Sequence, residues 1–154
     1  MRILFLTLAL AGCSQSESGT VEFEFLIASS TQVVLEPVTI VRSAADEANF
    51  RERLNLVAPF ARVDYDDETL VVVSTFGGCP STAYDLSVLQ ITDTGGGLEV
   101  EAEVTNNGSG GDLVSYPFWV VTVPHLDGVV VGDVTESRVT LRLTGDAADD
   151  CVLD

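Results

Sequence analysis

The side chains able to do chemistry are few in this sequence: three cysteines, Cys13, Cys79 and Cys151, and one histidine, His125. A hydrolytic nucleophile needs a base beside it and an acid that orients the base. Ser115 and Asp127 lie near His125 along the chain, but no serine sits in a nucleophile-elbow motif. The stretch Pro124-His125-Leu126-Asp127 reads as a surface loop. Two cysteines with no neighbouring ligands do not make a zinc site. Asp64, Asp66, Asp67 and Glu68 gather carboxylates, yet they lack the turn glycine and twelfth-position glutamate of a calcium loop. They read as a solvated turn, as do Asp146, Asp149, Asp150 and Asp154. Glu99, Glu101 and Glu103 alternate along a strand, so they share one wet face instead of converging as acid and base. The expectation is a chain with no catalytic residues, no metal and no cofactor.

Cys13 stands apart because of what precedes it. Met1-Arg2 is followed by an uncharged apolar run over residues 3–11, the shape of a secretory signal. At about 1.5 Å per residue such a run covers only about half of a ~30 Å hydrocarbon core. It ends Leu10-Ala11-Gly12-Cys13, which resembles the lipobox of bacterial lipoproteins. The small residues let a signal peptidase approach the backbone, and the cysteine thiolate takes the diacylglyceryl group. The resemblance implies a signal peptide at 1–12, a lipidated Cys13 with a polar tether at 13–20, and a single β-rich domain at 21–154. Two or three acyl chains of the palmitate kind, at about 0.8 kcal/mol per buried methylene, anchor stably. The implied partner is the lipid bilayer. Ser14 follows the cysteine where an aspartate retains many lipoproteins at the inner membrane, so the outer membrane is expected where a cell has two.

Charge excludes another class of partner. Seven basic residues, all arginine, face 24 acidic ones, for a net charge of −17. Such a chain is repelled by nucleic acid and by an anionic lipid surface, which suits a domain held on a tether. A lysine-free acidic surface fits a halophile's high-salt habitat, and equally a GC-rich genome that trades lysine for arginine. With Cys13 acylated, Cys79 and Cys151 remain. In an oxidising compartment two leftover cysteines are expected to form a disulfide.

The elements that must position these groups are mostly strands. Residues 21–27 alternate, with Val21, Phe23 and Phe25 on one side and Glu22 and Glu24 on the other, a strand with one wet face. Residues 33–41 form an edge or broken strand because of Pro37. Ser43 opens a helix with a capping-box pattern to Asp46; Phe50, Leu54 and Val57 form its apolar stripe and Pro59 ends it. Residues 69–75 are a buried strand. Residues 84–92, 98–104, 116–123 and 137–143 are further strands, with a short piece at 129–131. The fold class expected is α+β, mostly β: an antiparallel sheet or partial barrel of about seven strands with one early helix.

Several strings together resemble a family. They are Val41-Arg42-Ser43 at the helix start, Val63-Asp64-Tyr65 before the buried strand, Gly77-Gly78-Cys79-Pro80-Ser81-Thr82-Ala83-Tyr84, and Tyr116-Pro117-Phe118-Trp119 closing on Val123-Pro124. Residues 39–131 resemble the C-terminal domain of the protease-complex subunit PrcB family of bacterial lipoproteins. Where that family usually reads Pro-Thr-Gly-Gly-Tyr, this chain reads Pro80-Ser81-Thr82-Ala83-Tyr84. The resemblance implies a non-enzymatic binding role, as an accessory to an exported protease or another envelope protein. The loop at 79–84 is similar to the wedge loop of chagasin-like protease inhibitors, with Pro80, Ser81, Thr82 and Tyr84 as its binding candidates. Two alternatives stay open: a protease inhibitor acting through that loop, and a structural envelope protein.

Overall fold

The computed structural model describes residues 19–60, 63–75, 84–108, 116–124 and 139–148. Among these residues, eight strands and one helix follow in the order β1 (Gly19–Val21), β2 (Glu24–Thr31), β3 (Val38–Val41), α1 (Ala44–Arg53), β4 (Glu68–Ser74), β5 (Tyr84–Asp93), β6 (Leu98–Asn106), β7 (Tyr116–Pro124) and β8 (Val139–Thr144). They form two four-stranded sheets, β1-β5-β6-β8 and β2-β7-β4-β3. The fold is therefore α+β and mostly β, an open sandwich of two sheets and not a closed barrel.

Alternation builds the space between the sheets. Leu98, Val100, Ala102 and Val104 point inward from β6 and are essentially sealed, with Glu99, Glu101 and Glu103 on the other side. They meet Val71, Val73, Val121 and Val123 of the second sheet. β4 is buried on both faces, because its other side, Leu70 and Val72, packs with Phe118, Val120, Phe50 and Leu54. The helix is thus a third layer, laid on the second sheet. Phe118 and Trp119 point to opposite faces, as neighbours on a strand must. Phe118 is buried under the helix, while Trp119 packs partly buried against the core between the sheets.

Four expectations need correction. The strand expected over 21–27 is two strands. Val21 ends β1 in the first sheet, and Glu24 begins β2 in the second. The chain changes sheets at Glu22-Phe23, keeping Val21 and Phe23 against the inner core and leaving Phe25 about half exposed. The tether expected over 13–20 gives up its last two residues, since Gly19 and Thr20 pair with Asp93 and Thr92.

The helix ends before Pro59. Leu54 is its C-cap, Asn55 takes the left-handed conformation (φ 55°), and the Leu56 and Asn55 amides donate to the Arg51 and Glu52 carbonyls at 2.9 and 3.1 Å. This is a Schellman termination with asparagine at the left-handed position. Val57 therefore leaves the apolar stripe and is 94% exposed. The start is as expected: the Ser43 hydroxyl accepts from the Asp46 amide at 3.1 Å.

Strand β8 lies parallel to β6, not antiparallel. Parallel neighbours need a crossover between them, and here β7, in the opposite sheet, lies within the crossover.

Candidate functional site

The candidate site forms where the chain, between β1 and β2, passes from the first sheet to the second. β1 pairs with β5 only at Ile91, Thr92 and Asp93. Beyond that point β2 belongs to the other sheet, and a cleft of about 530 Å³ opens between the two. It is lined by residues 28–30 of β2, 84–87 of β5 and 117–119 of β7. The β2 lining is Ala28, Ser29 and Ser30, all small and exposed. β-Bulges stand on both strands that diverge, at Leu26 in β2 and Leu89 in β5, where the extra residue bends the strand and raises its twist.

Aromatic rings and one carboxylate give the cleft its chemistry. The Phe25 and Trp119 rings stack in a tilted pair, centroids 4.7 Å apart, beside the cleft that Trp119 lines. Tyr84 rests half-buried on the core between the sheets. Asp85 is exposed and its carboxylate accepts from the Asn107 side-chain amide at 3.1 Å. Ser29, Ser30 and Ser87 add hydroxyls. Such a surface is suited to holding a polypeptide by aromatic anchoring.

Of the loop candidates, Tyr84 lies at the cleft. Pro80, Ser81 and Thr82 lie outside the described residues, as do Cys13, Cys79, Cys151, His125, Ser115 and Asp127. Asp64, Asp66, Asp67 and Glu68 form a hydrogen-bonded turn. The Asp64 carbonyl accepts from Glu68 N at 2.7 Å, the Asp64 carboxylate from Asp66 N at 3.1 Å, and the Glu68 carboxylate from Asp64 N at 3.2 Å. Among the described residues no group of three or more His, Cys, Asp or Glu could hold a metal ion, and no helix is long and apolar enough to cross a membrane.

One polar cluster was not visible in the sequence. Glu47 is 7% exposed although it lies in the first turn of α1. Its Oε1 accepts from the Phe60 amide at 3.0 Å and its Oε2 from the Tyr65 hydroxyl at 2.8 Å. Arg51, one turn on, approaches Oε1 at 3.5 Å and donates to the Val57 carbonyl at 3.2 Å. Burial, first, and then the hydrogen bond to Glu47 push the Tyr65 hydroxyl well above the ordinary tyrosine range. The cluster pins the connection between α1 and β4 to the helix. Only the Glu47–Arg51 spacing hinted at it.

No family model, no curated protein and no solved structure matches the chain.

Proposed function

We propose that this chain is a lipid-anchored envelope protein that binds a protein partner, without catalysing a reaction, at the end of its sandwich away from the anchor. The observation that carries the reading is the direction of β5. Gly19, the first described residue, pairs with Asp93 at one end of this ten-residue strand. Tyr84 and the cleft lie at the other end, about 30 Å away at roughly 3.4 Å per residue. With Cys13 acylated, the cleft faces away from the bilayer toward whatever passes above it. The lipobox string ending at Cys13 supports the anchor. The PrcB-like span at 39–131 supports a partner such as an exported protease, which the chain serves as an accessory.

The test is a photo-crosslinking residue placed at Ser29 in the cleft or at exposed Gly96 in the opposite turn, in intact cells. The expected result is one adduct of defined mass from Ser29, identified by mass spectrometry, and none from Gly96. Adducts from neither position, or equally from both, contradict the reading.

A second reading is a protease inhibitor acting through residues 79–84. It is favoured by the position of Tyr84, the last residue of that stretch, at the cleft. It expects inhibition of a papain-like or subtilisin-like protease that is lost on Tyr84→Ala with Thr82→Ala; no inhibition across a protease panel removes it.

A further inference from the structure

We infer that the cleft is a strand-docking slot in which an extended, basic segment of the partner adds to the free flank of β5 and sets an apolar side chain against Trp119. The inference rests on the binding reading above and specifies how the partner is held.

β5 has two flanks. Along one, β6 pairs with it from Tyr84 to Asp93. Along the other, β1 covers only Ile91, Thr92 and Asp93. Among the described residues no strand pairs with residues 85–90 on that second flank, because after β1 the chain crosses to the other sheet as β2. An open strand edge offers a row of backbone donors and acceptors to any extended chain. Folds usually shield such edges with lysine, proline or a bulge. Residues 85–88 contain neither lysine nor proline, and the bulge falls after them at Leu89.

The opposite wall suits an incoming backbone. Ala28, Ser29 and Ser30 are small, so a second chain can approach β2 closely without displacing side chains. Trp119, backed by Phe25 at 4.7 Å, offers a rigid aromatic surface for one apolar side chain of the guest. Augmentation then divides the labour: backbone hydrogen bonds supply affinity, and alternate side chains supply selectivity.

Charge selects the guest. Asp85 is the charged residue on the cleft wall, and the chain as a whole carries −17. A second copy of this chain is repelled, while a basic segment is attracted and its association is weakened by salt.

The test uses the purified full chain and three end-blocked probe peptides. They are an alternating Arg-Val octamer, the matching Glu-Val octamer, and the Arg-Val octamer with alternate backbone nitrogens methylated. Amide hydrogen exchange is read residue by residue. The Arg-Val peptide is expected to slow exchange within residues 85–88 by about tenfold or more, and the other two are expected not to. Trp119→Ala is expected to weaken binding about tenfold. Because that residue also packs on the core, Ser29→Arg serves as a second variant, placing bulk and positive charge at the exposed wall; it too is expected to weaken binding. Protection of some other strand edge, equal protection by the Glu-Val peptide, or no protection overturns strand docking. If these fail while a cross-linker at Ser29 still captures a partner, the docking mode is wrong and the binding reading stands. If Ser29 captures nothing, both fall.

Discussion

Gly19 pairs with Asp93, while Tyr84, at the other end of the same strand, pairs with Asn106. Gly19 and the cleft therefore stand at opposite ends of the first sheet. Cys13 and Gly19 are six residues apart, at most about 20 Å of extended chain. On the proposed reading, an acyl group on Cys13 would keep the turn after Asp93 near the bilayer and hold the cleft out of it. The net charge of −17 would act in the same direction, since an anionic lipid surface repels so acidic a domain.

Breaking the Glu47 cluster should cost stability without changing the fold. Glu47→Ala leaves the Phe60 amide and the Tyr65 hydroxyl without their acceptor, and is expected to lower unfolding free energy by about 2–3 kcal/mol. Urea titration should show a lower midpoint at unchanged slope. Tyr65→Phe should cost about 1 kcal/mol. pH adds a second readout. Tyr65 is raised in the folded state by burial and by its bond to Glu47, whereas an unfolded tyrosine titrates near 10. The unfolded chain therefore releases this proton first. Its contribution is intact below about pH 10 and declines as pH rises beyond it. Tyr65→Phe should show a shallower loss of stability on that alkaline side; an unchanged profile contradicts the assignment.

Gly145 is required by its surroundings. It has φ of 100°, and a Cβ there would collide with the Val104 carbonyl oxygen, which also accepts from the Ala147 amide. Gly145→Ala is expected to cost about 2–3 kcal/mol. At Gly96, where φ is ordinary, an added Cβ would meet nothing within 4 Å, so alanine should be tolerated within about 0.5 kcal/mol. Equal effects in thermal melts contradict the distinction.

Cys79 and Cys151 are expected to be joined. The described residues on their flanks meet at one end of the first sheet. Tyr84 pairs with Asn106, whose amide donates to the Asp146 carboxylate at 3.2 Å, and Ala147 is buried in the same core. Cys79 lies five residues before Tyr84 and Cys151 three after Ala148, which is short enough for the two to reach each other. Closing that loop is worth about 4 kcal/mol in the chain-entropy description. Peptide mapping without reductant should recover the linked pair, and reduction should lower the melting temperature. Two free thiols in protein recovered under oxidising conditions contradict it.

The parts of the fold that are legible in the sequence are those set by local periodicity. The alternation of β6 and the apolar run of β4 follow from which side chains water rejects, and the Ser43 cap from one hydroxyl reaching one amide. What is illegible is non-local. Nothing within residues 21–27 says that Val21 and Glu24 serve different sheets, because the divergence depends on how β5 and β7 pair with them. The parallel placement of β8 depends on β7 lying in the opposite sheet. Asn55 is a terminator that sequence alone could supply, since asparagine tolerates the left-handed conformation, but Pro59 is the stronger local signal and masks it. The cleft combines three stretches far apart in sequence, so Tyr84 could be singled out while Ser29 and the Phe25–Trp119 pair could not.

Depth relative to the bilayer distinguishes an anchored domain whose cleft is turned away from the membrane from one lying on it. The acylated full chain is placed in vesicles whose headgroups carry a quencher, with a fluorophore introduced at Gly96 or at Ser29. Gly96 lies in the turn after Asp93 and Ser29 on the cleft wall. Strong quenching is expected at Gly96 and little at Ser29. Equal quenching at the two positions, or stronger quenching at Ser29, contradicts it.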